Sequence, residues 1–180
     1  MANSDSGRFS RPAVVLHWVM ALAIVGLFAL GLYMVDLDYY HPWYNSAPQL
    51  HQSLGIVVGL LLLVRVGVRL ALPPPLPLPS VSATERALAG IAHGLLYLLI
   101  LLVVATGYLI ASADDTAVAV FSWFSVPALP VALEGQEDIA GLWHEWLAWT
   151  LIALAAVHAA AALKHHFIDR DDTLRRMLGR

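Results

Sequence analysis

The 180-residue chain is 59% hydrophobic and only 13% charged, with a mean hydropathy of +0.71 and a formal net charge of −3. Soluble domains run nearer half apolar and a quarter charged, so a globule bathed in water on all sides is excluded. The absence of cysteine removes disulfides, thiolate metal sites, cysteine-ligated iron–sulfur clusters and c-type haem attachment together.

Four apolar runs reach the roughly 20 residues needed to cross a bilayer: 13–34, 48–71, 87–111 and 143–166. They predict an all-α fold, a transmembrane four-helix bundle that makes residues 1–180 a single membrane domain. The first run follows Arg8 and Arg11. It is too long for the apolar part of a signal peptide and no small-residue cleavage site follows, so an uncleaved anchor is expected. Residues 35–47 are acidic and aromatic, with Asp36, Asp38, Tyr39, Tyr40 and Trp43. The run PPPLPLP at 73–79 must be extended and stiff, because proline blocks helix and favours polyproline II. Ser82 and Glu85 stand at capping-box spacing and predict the start of the third helix. The longest loop, 112–142, has no Lys or Arg; its Trp123 and Phe124 suit an interface, and the helix is expected to restart near Trp143. The closing DDTLRRML at 171–178 reads as a short capped amphipathic tail lying on the lipid surface.

The basic residues predict the orientation. Arg8 and Arg11 precede the first run, Arg65, Arg69 and Arg86 flank the proline linker, and Lys164, Arg170, Arg175, Arg176 and Arg180 close the chain. If the runs alternate in direction, all ten lie on one side. By the positive-inside rule that side is the cytoplasm, with both termini there and the 112–142 loop periplasmic. The opposite side carries acids, among them Asp114, Asp115, Glu134, Glu137, Asp138 and Glu145.

Eight histidines are many for so apolar a chain, and ionisable residues inside spans are functional candidates by default. His144 and His158 are fourteen residues apart, about 21 Å along a helix and on nearly the same face. His51 enters with the second span at the outer level, beside His144. His17 lies about 9 Å past Arg11, at the inner level of His158. Two facing pairs result, His51–His144 outside and His17–His158 inside. Haem iron takes two ligands on opposite faces of a flat ring, and neutral imidazole is a common one. Gly55 and Gly59, four and eight residues past His51, leave little bulk there, although small residues at this spacing also pack helices together. His93, seven residues past Arg86, reaches the inner level as well, so His17 and His93 stand as alternatives by depth. Arg65 follows His51 by fourteen residues and shares that level. An arginine there needs a partner, and a haem propionate is a suitable anion.

The segments LHW (16–18), LHQSLGIVVGLLLLVRVGVRL (50–70), AHGLLYLLI (92–100), WHEWLA (143–148) and HAAAALKHHFIDRDDTLRRM (158–177) together resemble the bacterial cytochrome b561 family over nearly the whole chain. The resemblance implies an inner-membrane protein with two haem b groups. It assigns His17 and His158 to the inner haem and His51 and His144 to the outer one, and so prefers His17 over His93. It also implies a quinone site near the inner surface, where His93 and His165 are the candidates. Within the family are superoxide:ubiquinone oxidoreductases, so superoxide oxidised outside and ubiquinone reduced inside is the expected activity. The outer side offers no Lys or Arg and eight acids, whereas a positive funnel would speed the capture of an anion. The alternative is an electron-transfer subunit that takes electrons from a periplasmic dehydrogenase or cytochrome rich in lysine. The lipid bilayer is the remaining partner, and no nucleic acid is expected.

Overall fold

A computed structural model describes residues 7–129 and 134–179. Arg180 and residues 130–133 of the long loop lie outside the described residues. Four long helices carry the architecture: α1 (Arg11–Val35), α2 (Ser46–Ala71), α3 (Ala83–Ala111) and α4 (Gln136–Lys164). All four are long and apolar enough to cross a membrane. Their outward faces fit lipid rather than water: Leu22 is 72% exposed and Leu70 78%, and a water-facing protein rarely leaves contiguous surfaces of this kind bare. The interior is correspondingly thin, a cluster of Met20, Val58, Leu62, Leu99, Ile100 and Leu151 at mid-bundle.

Local signals explain the helix ends. Proline stands in the first turn of α1, where its missing N–H costs nothing. The predicted capping box forms at α3: Glu85 N–H donates to Ser82 Oγ at 3.2 Å, and Ser82 N–H donates back to Glu85 Oε2 at 3.0 Å. Helix α4 begins at Gln136, seven residues before the expected Trp143. Its first turn is polar, so the apolar run does not mark it. Glu137 and Asp138 there complement the positive end of the helix, and Gln136 Nε2 donates to the Leu109 carbonyl of α3 at 2.9 Å.

The long loop contains a two-stranded antiparallel hairpin, β1 (Val118–Val120) and β2 (Phe124–Val126), that the sequence reading leaves as loop. Val118 and Val120 are buried. Ser53 of α2 accepts from the Phe121 N–H at 3.0 Å, while Tyr108 of α3 donates to the Pro127 carbonyl at 2.6 Å. The hairpin is thereby pinned across one end of the bundle, hereafter the loop end.

At the other end, where the first and last described residues lie, α4 gives way to a π-helical turn, His165–Asp169, closed by Arg170 at φ +55°. The tail helix α5 (Thr173–Met177) follows. Trp18 Nε1 donates to the Met177 carbonyl at 2.8 Å, and Arg176 donates to the Leu76 carbonyl of the proline linker at 2.9 Å. The tail expected to rest on lipid is thus tied to α1 and to the linker. Asp171 accepts from the Thr173 N–H at 2.8 Å and faces His165 Nδ1 at 2.9 Å. Partial burial would raise its carboxyl pKa, but the Thr173 hydrogen bonds and His165 together outweigh that and hold it below the usual value.

Helix packing leaves a slot. α1 packs along α2 and α3 along α4, whereas α1 touches α4 only sparingly. The candidate site lies between these two helix pairs.

Candidate haem-binding site

Each long helix places two residues fourteen apart at the two levels of the slot: His17 and Gly31 on α1, His51 and Arg65 on α2, His93 and Gly107 on α3, His144 and His158 on α4. Fourteen residues are about 21 Å of helix and nearly four whole turns. Neighbouring helices run in opposite directions, so every helix contributes one of its two residues to each level. The loop-end level is Gly31, His51, Gly107 and His144; the terminal-end level is His17, Arg65, His93 and His158.

At the loop end, the His51 and His144 ring centres are 6.1 Å apart. Two in-line metal–imidazole bonds of about 2.0–2.1 Å, with about 1.1 Å from each bonded nitrogen to its ring centre, require a separation of about 6.2–6.4 Å. His144 Nδ1 lies 3.0 Å from the Val103 carbonyl and 3.3 Å from Thr106 Oγ1. A carbonyl can only accept, so Nδ1 carries the proton and the Nε2 lone pair is left for a metal, the usual arrangement behind a ligating histidine. His51 Nδ1 is buried, outside standard hydrogen-bond geometry, in a ring that lies beside the Leu27 backbone of α1.

Both rings depend on glycines of neighbouring helices. A Cβ at Gly107 would stand 3.0 Å from His144 Cε1, and one at Gly31 would stand 3.4 Å from His51 Cε1. A cavity of about 160 Å³ opens beside the two histidines, lined by Leu27, Phe28, Gly55, Gly107 and, from the hairpin, Val118. Gly55 borders this space with nothing near its missing side chain; a Cβ at Gly59 would instead strike Val104 at 2.9 Å. Of the two glycines read as making room, one does so and the other seats a neighbouring helix.

At the terminal end, His17 and His158 have ring centres 6.3 Å apart, again the separation a shared ligand needs. His93 is nearer to His158, at 5.2 Å, about 1 Å too short for the same geometry. The three imidazoles that depth alone brings to this level are all present, and spacing separates them. Arg65 donates from Nε to Tyr97 Oη at 3.0 Å and from Nη1 to the Ala13 carbonyl at 3.3 Å, and its Nη2 lies 3.2 Å from His17 Nδ1. Arginine has donors alone, so His17 Nδ1 accepts and its proton sits on Nε2. For Nε2 to ligate, His17 must give up that proton. The loop-end pair fits as it stands; the terminal-end pair fits by spacing and needs this tautomer change.

His165 is not drawn into that level. Its Nδ1 faces Asp169 at 3.1 Å and Asp171 at 2.9 Å, and the neighbouring Lys164 joins Glu85 and Asp169 at 2.8 Å each. Glu85, His165 and Asp169 could converge on a metal ion, but the Lys164 ammonium already bridges both carboxylates. Sequence reasoning missed Gly31, Gly107, Tyr97 and Thr106. The two glycines could have been found by stepping fourteen residues from His17 and His93; the other two declare themselves only through contacts.

Comparison with known proteins matches residues 8–180 to the prokaryotic cytochrome b561 family. Among curated relatives, cytochrome b561 homolog 2 of Escherichia coli is 48% identical, covering 96% of this chain and 92% of that protein. A cytochrome b562 of Cereibacter sphaeroides is 31% identical over 94% of each chain. A probable superoxide oxidase of Yersinia pestis is 28% identical over 95% of this chain and 96% of its own. The chain belongs to the prokaryotic cytochrome b561 family, membrane electron-transfer proteins of the b-haem class.

Proposed function

We propose that the chain carries electrons across the bacterial inner membrane on two b haems, from a donor at the periplasmic loop end to ubiquinone near the cytoplasmic terminal end. The observation that carries this reading is the pair of imidazole couples, 6.1 and 6.3 Å between ring centres, four helical turns apart. His51 and His144 would hold one haem, and His17 and His158 the other. Bound haem supplies one-electron redox chemistry; the protein fixes the ligands, excludes water and keeps the two levels in line along the membrane normal. Collection of nine described Lys and Arg residues at the terminal end, with Arg180 beyond them in sequence, supports that end as cytoplasmic.

Reduction of ubiquinone consumes two electrons and two protons. His93 beside His158, and His165 held by Asp169 and Asp171, are the side chains proposed for the quinone site, because an imidazole can take up and pass on a proton. Arg65, the cation that the sequence offers to a haem propionate, spends its donors on Tyr97, the Ala13 carbonyl and His17, and its charge is proposed to stay unpaired.

The loop-end surface supports a cationic electron-transfer protein as the donor. All eight of its acids, Asp36, Asp38, Asp114, Asp115, Glu134, Glu137, Asp138 and Glu145, are exposed, and opposite charge steers such partners to their dock. A second reading takes superoxide as the donor: two superoxide ions each lose one electron to become oxygen, and ubiquinone gains both electrons with two protons. It is favoured by the name of the Yersinia pestis relative. Purified chain in liposomes with ubiquinone distinguishes them. Quinol formation driven by a reduced basic cytochrome, and falling steeply with salt, is the expected result. Quinol formation from superoxide alone, indifferent to salt, would install the second reading, and no quinol from either donor would refute both.

A further inference from the structure

The two levels differ in charge. At the terminal end Arg65 reaches His17, and its partners, Tyr97, the Ala13 carbonyl and His17, are all neutral. The described carboxylates of that end are committed elsewhere: Glu85 to Lys164, Asp169 to Lys164 and His165, Asp171 to His165 and Asp172 to Arg175. Among the described residues Arg65 makes no ion pair. A guanidinium does not lose its proton in proteins, so the charge is permanent. At the loop end the residue in register on α1 and on α3 is glycine, and no Lys or Arg lies at that end.

From this asymmetry we infer that Arg65 is a potential-setting residue, whose charge makes the terminal-end level the better electron acceptor and so gives electron flow its inward direction. The inference rests on the dihaem reading above. Moving one electron from the loop-end level to the terminal-end level oxidises the first by one unit and reduces the second by one. A fixed cation held at that level by Tyr97 and the Ala13 carbonyl favours the product of that exchange. Away from bulk water such a charge acts over the width of the site with little screening. Tyr97 and the Ala13 carbonyl hold the guanidinium in place, and aromatic contact of Arg65 with the Tyr97 ring, 5.8 Å from its centroid, steadies it further.

A potentiometric titration of the purified holoprotein tests this. Wild type is expected to show two midpoints, the upper one retained in His51→Ala. Arg65→Gln should lower only that upper midpoint, cutting the terminal-to-loop electron occupancy ratio by about tenfold, which is about 59 mV for one electron. Arg65→Lys, which keeps the charge, should restore most of the shift. If Arg65→Gln sheds haem, Tyr97→Phe serves instead, and a smaller fall confined to the same midpoint is expected. An unmoved upper midpoint in a fully loaded Arg65→Gln or, failing that, in Tyr97→Phe would overturn the inference, because the charge would already be neutralised, as a propionate would do. So would Arg65→Lys behaving like Arg65→Gln. A single midpoint and a single haem in wild type would be a different failure, that of the dihaem reading itself.

Discussion

The loop-end and terminal-end levels of the slot are built on one plan and filled differently. Each receives one residue from every long helix, but the loop end spends two of its four places on glycine, whereas the terminal end fills them with His93 and Arg65. The loop-end rings are therefore set in an apolar, roomy, charge-free frame with His144 already in the tautomer a metal needs. The terminal-end rings sit among a third imidazole and a cation. One end is pre-organised for ligation. At the other, ligation would be coupled to charge and protons, which is where a two-proton acceptor would be served.

The largest expected effect separates the levels outright. His144→Ala should remove the loop-end haem and leave the other, halving the haem bound per chain in a pyridine haemochrome assay; equal loss of both would mean the levels are not independent. Next comes the glycine frame. Gly107→Val places methyl groups against a ring that a Cβ alone would approach to 3.0 Å. Overpacking of this kind costs about 1–3 kcal/mol, so loop-end haem retention should fall on dilution. Gly90→Val, where a side chain meets nothing within 4 Å, should retain haem as wild type does, and loss there would show that the slot is not what the glycines serve.

Smaller effects probe the supports. Thr106→Val removes the hydroxyl 3.3 Å from His144 Nδ1, worth about 0.5–1.5 kcal/mol. The Val103 carbonyl remains, so the spectrum should shift slightly with both haems kept; complete loss of one would show that the hydroxyl, not the carbonyl, orients the ring. The smallest concerns the tail. Because the Asp171 carboxyl is held below the usual value of 3.8, its contribution to tail docking is present above about pH 4 and lost as pH falls through the folded-state pKa. Trp18, bonded to the Met177 carbonyl, should report that release as a fluorescence change below pH 4. Asp171→Asn should remove that pH dependence; an identical acid transition in the variant would assign it to another group.

Much of this plan could be read from residue order because five of its eight positions are histidines in apolar helices, a placement that needs a reason. The fourteen-residue interval on α4 gives the two depths, and Arg65 repeats it on α2. The same interval on α1 and α3 ends on Gly31 and Gly107, and a glycine carries no chemical signal of its own; only the ring beside it reveals why nothing larger can stand there. The start of α4 was hidden by a polar first turn. The hairpin was hidden because three-residue strands carry too little periodicity, and its anchors, Ser53 and Tyr108, act across long stretches of sequence. The capping box at Ser82 is the opposite case: both partners lie within four residues, and local chemistry sufficed.

A haem count on purified wild-type chain, combined with an anaerobic dithionite-minus-oxidised spectrum, bears on everything above. Two haems per polypeptide, with one lost and one kept in His51→Ala, is the expected outcome. A colourless protein, or one haem that survives the loss of His51 undiminished, would contradict the existence of two filled levels.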